Sequence, residues 1–244
     1  MQDKHRHRSG TVEDDERDEP HEPHDDEGRP SSLSVATMPD PAAATDQRVM
    51  LHGLDWSQYE SMLVIRGDRA GVRMTYLEGA LELMSTAVEH EKIKKCMARL
   101  IEAYAEEHGL DLDGYGAWAL RSERGSCGVE PDECYVLGKG KSVPDLVVDV
   151  TWTEGGLDRL TVYQRLCIAE VWVWTREGIE VHRLRSGGYV QVGRSEIFPK
   201  LDLGVLARFI QPDAQTRAVR SFREALRGDG PSVQKPAASG PTAR

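Results

Sequence analysis

The stretch from Asp145 to Thr175 constrains the fold more than any other part of the chain. Leu146, Val148, Val150 and Trp152 give one wholly apolar strand face, while Asp145, Val147, Asp149 and Thr151 give the other. A helical pattern over Leu157–Cys167 follows, and then a second apolar strand, Val171–Thr175. Two parallel strands need a crossover of this kind, and such crossovers are right-handed. The segment therefore asks for a sheet with helices packed on it.

The rest of the chain supplies the remaining pieces. Ser57–Ile65 has the pattern of a short helix, and Arg73–Tyr76 and Ala80–Met84 that of two strands turned at Glu78-Gly79. The clearest helix runs from Val88 to Glu107, where Ile93, Met97, Leu100, Ile101 and Tyr104 line one stripe and Gly109 provides the stop. Strands are expected at Tyr115–Arg121, Val129–Val136, Ile179–Leu184 and Tyr189–Val192, and helices at Leu203–Ile210 and Ala214–Leu226. The order αββαβββαβββα predicts an α/β fold with one central mixed sheet flanked by helices.

Charge separates this body from its ends. Of the net charge of -10, residues Met1–Asp46 carry -8, with 13 acidic residues against 5 Lys and Arg, so the remainder lies near -2. Residues 1–46 have almost no large apolar side chains and are expected to be a disordered acidic tail, with His5, His7, His21 and His24 in a solvated setting. Residues 228–244, with Pro231, Pro236 and Pro241, are expected to be a second tail, leaving residues 47–227 as the domain. Cys96, Cys127, Cys134 and Cys167 show no repeated spacing, which argues against a disulfide framework or a thiolate zinc site. No apolar run is long enough for a membrane span, and the start has no signal-peptide pattern, so a cytoplasmic protein is expected.

The chemistry concentrates on two carboxylates. Asp149 lies in mid-strand beside Val147, where a carboxylate needs a cation or hydrogen-bond donors. In Glu130-Pro131-Asp132-Glu133-Cys134-Tyr135-Val136, Asp132 shares a face with Cys134 and Val136, and the loop Leu137–Val143 can return the chain toward Asp149. Facing side chains on paired strands have β-carbons about 4.5–5.5 Å apart. Two carboxylates so placed can hold one Mg²⁺ at about 2.1 Å, and the bland alternative is an Asp that caps a turn or pairs with a nearby Arg.

Other patterns fail on spacing. Gly140-Lys141-Ser142 resembles the end of a P-loop, but its first glycine would fall at Tyr135 and Val143-Pro144 prevents a following helix. His90-Glu91 begins a zinc-protease pattern whose second histidine would fall at Lys94. Gly125-Ser126-Cys127-Gly128 has too few residues for a nucleophile elbow.

Several runs, in order, resemble the Uma-type restriction endonuclease family of the PD-(D/E)xK nuclease superfamily. They are Tyr76-Leu77-Glu78-Gly79-Ala80-Leu81-Glu82-Leu83-Met84-Ser85, Glu89-His90-Glu91, Glu130-Pro131-Asp132-Glu133-Cys134 and Pro144-Asp145-Leu146-Val147-Val148-Asp149-Val150, followed by Gly155 to Tyr163 and Glu170 to Trp174. The resemblance spans about Ser57–Leu203 and implies a restriction-endonuclease-like core that binds a divalent metal, Mg²⁺ or Mn²⁺. It makes Asp132 the first metal-binding acid and Asp149 the second, a position where the family usually has Glu. Glu82 and His90 match polar positions flanking the site, with Glu82 a further metal ligand. The superfamily lysine would fall at Thr151, and the lysine that the family supplies from the next helix is matched by Arg159.

Arginine stays protonated where lysine can be tuned into a proton acceptor, so Arg159 is suited to orienting water or stabilising charge on phosphorus. These residues together predict a metal-dependent endonuclease acting on DNA, with Asp132, Asp149, Arg159, Glu82 and His90 as its site. Lys92, Lys94, Lys95, Lys139 and Lys141 are candidates for the phosphate backbone. The alternative is a catalytically silent nuclease-fold module that binds nucleic acid or a protein. The superfamily also makes a homodimer an expectation, since cutting both strands usually takes two subunits.

Overall fold

The computed structural model describes residues 45–67, 69, 71–116, 118–151 and 156–228. Of the tails expected at residues 1–46 and 228–244, residues 1–44 and 229–244 lie outside the described residues, as does Trp152 of the central strand. The first element is a strand that the periodicity did not reveal, β1 (Gln47–His52). Helix α1 (Trp56–Arg66) follows, started by a reciprocal cap in which Asp55 accepts from the Gln58 N–H and Gln58 accepts from that of Asp55. The hairpin β2 (Arg73–Leu77) and β3 (Ala80–Ser85) turns at Glu78 and Gly79, whose φ angles of 47° and 90° make the glycine a requirement. Helix α2 (Val88–Glu107) has the expected bounds.

The next two expected strands are each broken in two. Tyr115–Arg121 gives way to β4 (Leu112–Tyr115) and β5 (Leu120–Ser122), and Val129–Val136 to β6 (Cys127–Val129) and β7 (Glu133–Leu137). The second break falls at Glu130-Pro131-Asp132, where proline has no N–H for a ladder and the flanking carboxylates bond to backbone N–H groups elsewhere. At both breaks the chain passes from one sheet to another. The crossover then follows as β8 (Leu146–Val150), α3 (Arg159–Arg165) and β9 (Glu170–Thr175). The chain continues through β10 (Gly178–Arg185), β11 (Gly188–Val192), α4 (Leu203–Arg208) and α5 (Gln215–Arg227).

The architecture is mixed α/β, with two sheets where a single one was expected. A five-stranded antiparallel sheet has the order β1-β3-β2-β6-β5, and a six-stranded sheet the order β11-β10-β9-β8-β7-β4. Only the β8–β9 pair of the second sheet is parallel, as the crossover requires. One bent hairpin serves both sheets: β4 pairs with β7 in the larger and β5 with β6 in the smaller.

Three apolar clusters hold these layers. Leu146, Val148 and Val150 face α2 through Met97, Leu100 and Ile101, with Trp172, Phe198, Leu206 and Phe222 completing that side. Val147 faces the other way, toward Val162 and Tyr163 of α3 and toward Cys127 and Val129 of the smaller sheet. All five residues of β8 are thus buried, and Asp149 lies on the α3 side of a strand with no solvated face. The third cluster packs α1 on β2 and β3 through Tyr59, Leu63, Met74, Tyr76 and Leu81. Among the described residues no helix is long and apolar enough to cross a membrane.

The contact of α1 with β6 leaves no spare room. A methyl group at Gly128 would overlap the Tyr59 hydroxyl and lie 2.8 Å from its Cζ, in a ring that is fully buried and stacked on Tyr76. The Tyr59 hydroxyl has no hydrogen-bond partner among the described residues. Gly128→Ala should therefore lower stability by about 1–3 kcal/mol in chemical denaturation. Tyr59→Phe should be near neutral and should restore part of the loss in the double variant, whereas equal loss with and without Tyr59→Phe would place the strain elsewhere.

Candidate active site

Asp132 and Asp149 meet where β7 enters the larger sheet. Glu133 is paired with Val148, so the next opposed positions in this antiparallel register are Asp132 and Asp149. The Asp132 N–H donates to Asp149 Oδ1 at 3.1 Å, and the Val150 N–H donates to Asp132 Oδ2 at 2.7 Å. Each carboxylate therefore finishes the hydrogen bonding of the other strand's backbone, which ties the acid pair to the ladder itself.

Both carboxylates are 2–4% exposed, and charges so buried need partners. Asp149 receives the fork of Arg159, with Nε at 2.8 Å from Oδ2 and Nη2 at 3.0 Å from Oδ1. The Tyr163 hydroxyl donates to Asp149 Oδ2 at 2.7 Å and accepts from Arg159 Nη2 at 3.0 Å, while Nη2 also donates to the Glu130 carbonyl at 2.8 Å. Arg159 and Tyr163 share one face of α3 because they are four residues apart. Burial works against the Arg159 charge, yet Asp149 and Tyr163 outweigh it, and its pKa lies above that of a free guanidinium.

Asp132 is neutralised from the smaller sheet and from α2. Arg73 of β2 pairs with its Oδ1 and also reaches Glu91 Oε1 at 3.2 Å. Burial pulls the Arg73 pKa below the usual value, with Glu91 opposing this and Arg159 adding to it, so the two guanidinium groups feel one another. His90 Nε2 lies 3.0 Å from Asp132 Oδ1, and its Nδ1 lies 3.0 Å from Asp46 Oδ2. The other oxygen of Asp46 accepts from the Ala87 N–H at 2.8 Å, just ahead of α2. Composition puts Asp46 in the tail, but its side chain is fully buried at the end of an Asp46–His90–Asp132 relay.

Glu82 is buried too, but on a different task. Its Oε2 accepts from the Leu157 N–H at 2.9 Å, and Arg48 lies 3.9 Å from Oε1. Gly156, with φ 101°, is pressed so close to this carboxylate that a methyl group there would overlap it. Glu82, Asp149 and Arg159 line one cleft of about 260 Å³ together with Arg48, Glu180 and His182. Arg73 lines another, of about 560 Å³, with Arg66, Glu91, Lys94 and Glu130. Among the described residues no three His, Cys, Asp or Glu side chains form a group able to hold a metal, so Glu82 is not gathered with Asp132 and Asp149 into one ligand set.

The donor set, as arranged, does not fit a divalent ion. A carboxylate offers about four lone-pair directions. Those of Asp149 are taken by the Asp132 N–H, two Arg159 N–H groups and the Tyr163 hydroxyl. Asp132 keeps one, since Oδ1 faces His90 and Arg73 and Oδ2 accepts from Val150. The lysines considered for phosphate are mostly occupied at the surface: Lys92 with Asp213 at 2.7 Å, Lys141 with Asp145 at 2.7 Å, and Lys94 with Glu91 at 2.5 Å. Lys95 and Lys139 are exposed.

Asp46, Arg73 and Tyr163 are the site residues that the sequence reading passed over. Tyr163 carried a usable signal, its spacing of four from Arg159. Arg73 carried a weaker one, a lone cation beside the apolar run of β2.

The relay sets an acid limit on stability. Burial pushes the Asp46 carboxyl up, but the hydrogen bonds from His90 and Ala87 and the charges of His90 and Arg48 outweigh it, and its pKa lies below the usual carboxylate value. A lowered folded pKa contributes stability that is present above the unfolded value of about 4 and is lost as pH falls through the folded one. Melting temperature followed from pH 6 down to pH 3 should fall more steeply for wild type than for Asp46→Asn, whose melting temperature should already be lower at pH 6. Parallel curves would detach Asp46 from the relay.

Residues 56–218 match the Uma2 family, whose description is "Putative restriction endonuclease". Among solved structures the chain is similar to "a putative nuclease belonging to DUF820 from Anabaena variabilis ATCC 29413", at 11% identity and a TM-score of 0.38, over 60% of this chain and 90% of that one. No curated protein matches it. The match to Uma2 covers most of the chain and includes β7, β8 and α3, the elements that carry Asp132, Asp149 and Arg159, and the chain therefore belongs to the Uma2 family of restriction-endonuclease-type proteins.

Proposed function

We propose that the chain is an endonuclease that hydrolyses phosphodiester bonds of DNA, with Asp132, Asp149 and Arg159 at its working centre. The observation that carries this reading is the in-register placing of Asp132 against Asp149, with the Arg159 fork bound to the second acid at the edge of a cleft. Family membership supports the reaction class. Arg159 and Arg73 are the cations nearest the two acids, and each lines a cleft. A guanidinium presents paired donors that match two phosphate oxygens, so these two residues bind the backbone and stabilise charge that develops on phosphorus.

The other site residues position these two. His90 holds Asp132 from α2, and Glu82 holds the chain at Leu157, two residues before Arg159. The divalent ion that the family implies, Mg²⁺ or Mn²⁺, would acidify a water and neutralise phosphate charge when bound. The filled lone pairs of Asp149 leave it no place on that carboxylate. The same filled lone pairs favour a second reading, a nuclease-fold module that grips nucleic acid without cutting it.

Supercoiled plasmid incubated with Mg²⁺, Mn²⁺ or a chelator separates the two. The endonuclease reading expects nicked or linear products that the chelator suppresses and that Asp132→Ala reduces to background. Cleavage no greater than that of Asp132→Ala under every condition, with a retained mobility shift of DNA, would replace the enzyme by the binding module.

A further inference from the structure

We infer that Arg159 is an internal counter-cation that bars a divalent ion from Asp149, so that the ion and the Arg159–Asp149 pair are alternative occupants of one carboxylate. The inference rests on the acid pair being the site named above, and it concerns what must leave before an ion can enter.

Three observations support it. The first is stoichiometric: the guanidinium takes one direction on each Asp149 oxygen, and the Tyr163 hydroxyl and the Asp132 N–H take the others. Asp132 has one direction left, so with the fork in place the acid pair offers an ion one ligand, and Asp149 offers none. The second is the kind of cation. An ammonium at this position is a point charge and could meet one oxygen of Asp149 while leaving the other open. The planar fork of Arg159 meets both oxygens and is further anchored to the Glu130 carbonyl at 2.8 Å and the Tyr163 hydroxyl at 3.0 Å. The third is access: Arg159 lines the cleft of about 260 Å³ beside Asp149, so the guanidinium has space to leave into.

Exchange follows from these facts. A phosphodiester entering the cleft offers the Arg159 fork two non-bridging oxygens as a second bidentate partner, and transfer of the fork from carboxylate to phosphate frees one direction on each Asp149 oxygen. Arg159 thereby makes the acid available to an ion only when an anion has taken its place. No bond is made or broken, and the positive charge stays on the guanidinium throughout.

Mn²⁺ binding to the full chain without nucleic acid, followed by the loss of the free-ion electron paramagnetic resonance signal, tests this directly. Wild type should bind weakly and Arg159→Met at least about tenfold more tightly, a difference of about 1.4 kcal/mol. Arg159→Lys should lie between them, and Asp149→Asn combined with Arg159→Met should lose the gain. Thermal melts establish that each variant is folded, and Arg159→Lys keeps the charge and carries the test if Arg159→Met does not fold.

Equal affinity of wild type and the folded Arg159 variants would overturn the inference, as would a gain that survives Asp149→Asn. Its failure is distinct from failure of the enzyme reading. A chain that never cuts plasmid yet gains Mn²⁺ affinity in Arg159→Met keeps the exclusion and loses the nuclease, and a chain that cuts while binding Mn²⁺ equally in both forms does the reverse.

Discussion

The passage of the chain from one sheet to the other at Glu130-Pro131-Asp132 is tied down by charge rather than by apolar packing. Glu130 accepts from the Met74 N–H at 3.0 Å and takes both arms of Arg66, at 2.7 and 2.6 Å, so it binds the crossing to β2 and α1. Two residues later Asp132 binds it to β8 through Val150, and the Glu130 carbonyl is met by Arg159 from α3. Buried carboxylates are costly unless every one is paired, so this joint holds only when four separate elements arrive together.

The site inherits that requirement. Arg66, Arg73, Arg159 and His90 come from α1, β2, α3 and α2, and each is set against an acid of the joint or of its neighbour Asp149. Structural neutralisation and the candidate chemistry therefore use the same side chains. For the nuclease proposed, a cation placed here for stability is also the cation its substrate phosphate meets, and removing it alters both.

Much of this was legible in the chain. The α2 stripe, the Glu78-Gly79 turn and the strand–helix–strand run gave their elements because each is governed by local periodicity. Asp149 announced itself as a carboxylate on an apolar strand, and its partner proved to be Arg159 of α3. The division into two sheets was not legible, because Val129–Val136 has the length of a single strand and only Pro131 marks where the hydrogen-bond partners change. β1 and Asp46 were hidden for another reason. Gln47–His52 borders an acidic, apolar-poor segment and is held by pairing with β3, while Asp46 is buried against His90 of α2, and neither element is a sequence neighbour. Asp132 has its place through register with β8, which follows from the hairpin, whereas Arg73 reaches it across the sheets, a distance no spacing rule encodes.

The bent hairpin bears on how the chain acquires its structure. The β1-β3-β2 part of the smaller sheet pairs nearby segments, but the pairing of β6 with β2 closes a loop that contains β3, α2, β4 and β5. Closing so long a loop is slow compared with forming a helix or a local turn. Since β5–β6 and β4–β7 are two halves of one hairpin, the register chosen in one sheet dictates that of the other. A slip by one residue would turn Val129 and Cys134 out of the same core together, so a half-correct intermediate gains nothing from either sheet. Coupling of this kind steepens the route to a single native pairing and removes from the landscape the species in which one sheet is right and the other wrong.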